Sequence, residues 1–145
     1  PRNSTIIDID SVNKYFSTNI NTNDPVIIES HLAHLLDKID TCIVLRCHPK
    51  ELRNRLINRD WPWKKIKENL EAEILDVILC EAADRIESKD LFEIDTSTLP
   101  LATIVNDIFF LISEKKTKYL KKPGSFDWSE LIFDTNIMEE DANGS

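Results

Sequence analysis

Two sets of residues in this sequence have the types and spacing that phosphate chemistry asks for. The first is Glu29-Ser30-His31, directly after the apolar run Val26-Ile27-Ile28. A carboxylate at the C-terminal end of a buried strand lies where open α/β sheets place their ligands. There it can hold Mg²⁺ directly or through water. His31, two residues on, can orient a water or a phosphate. The competing reading is a loop in which Ser30 caps a short helix and neither neighbour does chemistry. Strand-end acids are common, and taken alone these residues favour that plainer reading. The second set is Arg46, Arg53, Arg55 and Arg59. Arg46 ends the apolar run at 41–45, again at the ligand edge. Arg55 and Arg59 stand four residues apart, which on one helix puts them on one face. Phosphoryl transfer is mostly positioning and charge neutralisation, so guanidinium forks suit it. An ordinary solvated helix face reads the same way.

Two further groups are weaker. Asn58-Arg59-Asp60-Trp61-Pro62-Trp63-Lys64-Lys65 sets two tryptophans around a proline, with cations on either side. Such a hinge can close over a nucleotide. A tight corner with Trp61 packed on the core is about equally consistent. Glu71, Glu73 and Asp76, with Asn69, reach toward a site or form a solvent face, and the charge pattern favours the solvent face.

The elements that must position these residues follow from periodicity. Apolar spacing predicts a helix over 8–18 and short buried strands at 26–28 and 41–45. The segment SHLAHLL between those strands fits a turn or two of helix. Pro49 suits a first helical position and predicts a helix over 50–58. Ile66, Leu70, Ile74, Val77, Ile78 and Ala82 recur at three- and four-residue steps and predict one long helix over 63–87. LFEI at 91–94 reads as a strand, and Pro100 opens a helix to about 120. The rest, 121–145, reads as an extended or partly helical tail. Short apolar strands alternating with helices imply crossovers, hence a parallel sheet with helices on both faces.

The bulk numbers narrow the class. The chain has 145 residues, 41% of them hydrophobic and 30% charged, with a formal net charge of −8. That suits one folded domain and argues against a DNA-binding surface. A basic partner is electrostatically compatible. Cys42, Cys47 and Cys80 are an odd number without a CxxC pair and read as reduced, mostly buried thiols. There is no signal-peptide pattern and no membrane-spanning run, so the expected location is cytoplasmic. The two glycines are Gly124 and Gly144. The stretch from Pro1 to Pro123 therefore holds no glycine loop able to cradle phosphate.

Taken in order, VIIESHLAHLL, CIVLRCHPKELRNRLINRDW, KIKENLEAEILDVILCEA, FEIDTST and KKPGSFDWSEL resemble the archaeal atypical adenylate kinases. The human coilin-interacting nuclear ATPase is a eukaryotic relative of that family. The resemblance runs from about Ile7 onward; its specificity lies in the ordered series. It implies a P-loop nucleoside monophosphate kinase-like fold, a three-layer parallel sheet lacking here its central P-loop strand. It also implies adenylate kinase and ATPase activity with Mg²⁺ and ATP, AMP as second substrate, and a part in maturing the small ribosomal subunit. In that frame Glu29 and His31 match the catalytic D-x-H motif, with Glu29 reaching the metal through water. Arg46, Arg55 and Arg59 become nucleotide contacts. Residues 58–68 match the lid, within a partial kinase domain at 1–120. Asp60 stands where the family has glycine, implying a stiffer hinge. Leu99 stands where relatives carry a lysine near adenine, implying that this contact is lost. The family opens with a strand and a GK[ST] loop, so about forty to fifty residues of its pattern have no counterpart here. The expectation is a fragment of a longer protein, inactive and poorly folded by itself. The alternative is a non-catalytic module that binds a basic ribosomal protein.

Overall fold

The computed structural model describes residues 7–20, 25–113 and 117–140. The first helix, α1 (Ile9–Asn19), starts where Asp8 accepts hydrogen bonds from the Asp10 and Ser11 backbone N–H groups. None of its residues is buried. A 3-10 turn at Ala33–Leu35 follows, then strand β1 (Cys42–Arg46). Helices α2 (Pro49–Ile57), α3 (Trp63–Ile74) and α4 (Val77–Ala83) lead to strand β2 (Leu91–Asp95). Helix α5 (Leu101–Ile112) comes next, then a 3-10 turn at Ser129–Phe133 and the single helical turn α6 (Thr135–Met138).

β1 and β2 pair in parallel, with Cys42 opposite Leu91 and Arg46 opposite Asp95. On its other side β2 exchanges two backbone hydrogen bonds with Lys121, at 2.9 and 2.8 Å. The far edge of β1 has no strand partner among the described residues.

The expected buried strand at 26–28 is not formed. Val26 and Ile27 are 49% and 76% exposed. A strand is buried by a ladder partner and a covering layer, and the described residues offer this segment neither.

The expected single helix over 63–87 breaks at Leu75 and Asp76, where Asp76 takes a left-handed φ of 54°. The break lets one apolar stripe serve two cores. Ile66, Leu70 and Ile74 pack with Leu56, Ile137 and Met138. Leu79 and Ala82 pack with Val44 and Leu91 across the sheet.

α5 ends at Ile112 rather than near 120, because the chain turns back onto it. The Asp107 carboxylate accepts hydrogen bonds from the backbone N–H groups of Lys118, Tyr119 and Leu120, each at 2.8 Å. This seats Leu120 against Ile94 and Ile104. The segment from 121 also returns to the body of the molecule, where Ile137 and Met138 are buried. Of the thiols, Cys47 is buried and Cys42 half-buried, but Cys80 is exposed, contrary to expectation. Cys80 lies off the stripe that Leu79 and Ala82 of α4 turn to the core. No described helix is long and apolar enough to cross a membrane.

Candidate functional site

The carboxyl ends of β1 and β2 gather two of the site residues that sequence singled out, Arg46 and Arg55. β1 ends in Arg46, whose side chain turns inward and is 1% exposed. Its Nε donates to Glu73 Oε1 at 2.8 Å, and its two terminal nitrogens donate to Glu93 and Asp76. The Trp128 ring lies over the guanidinium at 4.8 Å. Burial alone would favour loss of the Arg46 proton, but hydrogen bonds and charge from Glu73, with Asp76 and Glu93, outweigh it and strengthen the guanidinium's hold. Glu73 is pushed above its ordinary range by burial, which exceeds the opposing pull of Arg46. Three carboxyl groups thus surround one guanidinium.

Arg55 projects from α2 to the end of β2. Its Nη2 donates to the carbonyls of Thr96 and Ser97 at 2.9 and 3.0 Å, and its Nε to Glu51 at 2.9 Å. Ser97 Oγ in turn accepts from the His48 N–H at 2.7 Å, and Thr96 Oγ1 donates to the Arg46 carbonyl at 2.8 Å. Arg46, His48, Arg55, Thr96 and Ser97 therefore form one bonded rim at the carboxyl edge, where open sheets take ligands. A groove of about 330 Å³ opens beside it, lined by His48, Trp128 and Leu131 among others.

Arg59 lies outside the helix. α2 stops at Ile57, so Arg59 sits exposed in the turn at 58–60 and does not share a helix face with Arg55. The next residue, Asp60, has a left-handed φ of 54°, the conformation that favours glycine. Beyond the turn, in the first turn of α3, Lys65 Nζ lies 3.7 Å from the Trp61 ring. Glu29 and His31 are exposed. None of the described hydrogen bonds or ion pairs joins them to Arg46, Arg55 or Arg59. Ser30 does cap locally, its Oγ accepting from the Leu32 N–H at 3.1 Å. Leu99 packs beside Ile94 and Ile104.

Sequence reasoning missed the partners of Arg46. Glu73 and Asp76 were expected mostly on a solvent face, and Glu93 was unremarked within LFEI. A lone acid inside an apolar strand was the available signal, since a buried carboxylate needs a cation. His34 was also missed: it is 3% exposed and its Nε2 meets Glu81 Oε2 at 2.9 Å.

Residues 1–76 match a family model described as "AAA domain", which is more than half of the 145 residues. A protein of Archaeoglobus fulgidus named "Putative adenylate kinase" is 46% identical over 107 residues, covering 72% of this chain and 58% of the relative. The protein of the same name from Methanocaldococcus jannaschii is 36% identical over 136 residues, covering 94% of this chain and 71% of the relative. That from Methanococcus maripaludis is 38% identical, covering 90% and 68%. The matched part of the chain thus spans 58% to 71% of the length of these relatives.

Proposed function

The chain belongs to the archaeal atypical adenylate kinase family, and from that membership we propose that its residues serve phosphoryl transfer from ATP to AMP, or ATP hydrolysis, in the intact protein. The observation that carries the reading is the rim at the carboxyl edge of the sheet. There Arg55 is held by the Thr96 and Ser97 carbonyls, with the exposed Arg59 in the turn beyond its helix.

In this reading Arg59 and Arg55 neutralise the transferring phosphoryl group. Residues 58–68 act as a lid that excludes water. Glu29 would help hold Mg²⁺ through water, and His31 would orient the attacking oxygen or a phosphate. Arg46 is committed to Glu73, Asp76 and Glu93, so it supports the edge from beneath.

The described residues contain no group of three side chains able to hold a metal ion. Mg²⁺ is commonly carried by phosphates and water with one or two carboxylates, and Glu29 is the exposed carboxylate that would meet it. The Mg²⁺ ion would neutralise charge on the phosphates. The sequence from Pro1 to Pro123 has no glycine, so the loop that cradles the phosphates must be supplied by other residues.

A part in maturing the small ribosomal subunit, in the cytoplasm, goes with this reading. One observation favours a second reading, a binding module for a basic ribosomal protein: no Lys, Arg or His follows Lys122, whereas six Asp and Glu residues do. The coding sequence immediately upstream of Pro1 separates the two. An in-frame strand and GxxGxGK[ST] loop, with ADP formed from ATP and AMP by that longer product, supports the kinase. A frame break there, together with a failure of ATP to bind at micromolar concentration, supports the binder.

A further inference from the structure

We propose that the segment from Phe126 to Glu139 is a brace that sets the position of residues 58–65, the turn after α2 with the start of α3, with Trp128 as a positioning residue. The inference rests on reading that turn as a lid.

The turn holds itself weakly. Arg59, Asp60 and Pro62 are exposed, and its backbone ties are short-range, Asp60 N–H to Ile57 O at 2.9 Å and Trp61 N–H to Leu56 O at 3.3 Å. What gives it a defined place is the packing of Trp61 and Trp63, and part of that wall is the C-terminal segment. Leu131, Ile132, Ile137 and Met138 share one apolar cluster with both tryptophans and with Ile66 and Leu70 of α3.

The segment is fastened at both ends to an arginine whose guanidinium faces a tryptophan. At its start, Trp128 covers Arg46 at 4.8 Å and meets the His48 ring at 5.8 Å. Just before it, the Ser125 N–H donates to Glu93 Oε2 at 3.0 Å. At its end, the Glu139 carbonyl accepts from Arg53 at 3.2 Å, and Arg53 lies over the Trp63 ring at 5.4 Å. Because packed interiors transmit displacement, loosening Trp128 shifts Leu131 and Ile132 and frees the tryptophans of the turn. A segment that merely filled the core would lower stability everywhere. A brace changes the turn first.

Amide hydrogen exchange on the full chain tests this, because local opening is read site by site. The reporters are the hydrogen-bonded amides of Asp60, Trp61, Lys65 and Ile66; the controls are those of Ile104 and Ser113 in and after α5. In Trp128→Ala and Leu131→Ala the reporters exchange at least about fivefold faster while the controls hold, and Trp128→Phe stays near the parent. Unchanged reporters, or equal acceleration of reporters and controls, overturn the brace. If Trp128→Ala does not fold, the half-buried Leu131→Ala decides. The same experiment with ATP and Mg²⁺ on the longer product asks a separate question. Failure of ATP to slow the reporters sinks the lid reading and the brace's bearing on catalysis, while the mechanical coupling of the segment to the turn is judged by the variants alone.

Discussion

Arg46 is held by three carboxyl groups, those of Glu73, Asp76 and Glu93. Removing it leaves Glu93, which is 0% exposed, without its cation. Arg46→Ala is expected to cost about 3–5 kcal/mol in urea unfolding, as for other broken buried pairs. Glu73 gives the pH dependence a definite sign. Burial raises its folded pKa above the ordinary value of 4.5. Its protonated form is therefore favoured by folding, and stability is lost as pH rises from about that value through the raised one. Glu73→Gln should flatten this decline when urea midpoints are compared between about pH 5 and pH 8. Asp107 has the opposite sign. Burial would raise its pKa, but three backbone N–H donors outweigh that and hold it low. Its contribution is present above the ordinary value of 3.8 and lost as pH falls through the folded one. Asp107→Ala should cost about 2–4 kcal/mol, since it leaves three N–H groups of the returning chain without their acceptor.

At the scale of elements, the left-handed residues mark where the chain was bent against local preference. Lys38, Asp60 and Asp76 have φ of 59°, 54° and 54°. Lys38 is exposed, so Lys38→Gly relieves strain without removing a core contact. The relief of about 1–2 kcal/mol is partly offset by a freer unfolded chain. A net gain of about 0.5 kcal/mol in thermal unfolding is expected. Asp76 is different, because its side chain also binds Arg46. Asp76→Gly trades relief of strain for loss of that bond and should destabilise.

At the scale of the molecule, the described surface is unevenly finished. Leu101, Val105, Phe109 and Ile112 run along one side of α5 and are 76%, 54%, 57% and 47% exposed. Leu45, on β1 with its open edge, is 55% exposed. Contiguous apolar surface and open strand edges promote association. The chain as given should sediment above monomer mass as concentration rises, despite its charge of −8. Val105→Lys with Phe109→Lys should return it toward monomer.

Element type was legible in the sequence where local chemistry decides it. Pro49 opens a helix, apolar spacing marks α1, the spacing of Ile66, Leu70 and Ile74 marks a buried face, and β1 and β2 show as short apolar runs. The ordered series of segments also identified the family. What the sequence could not carry were decisions made between distant residues. Val26-Ile27-Ile28 has strand composition but no partner to pair with among the described residues. The helix over 63–87 breaks because Asp76 meets Arg46 and because two cores compete for one stripe. The carboxyl partners of Arg46, which are Glu73, Asp76 and Glu93, come from three separate places in the sequence. Propensity and periodicity act within a few residues, and they determined the elements. Burial and charge pairing act across the fold, and only the tertiary structure could decide which polar groups pair with one another.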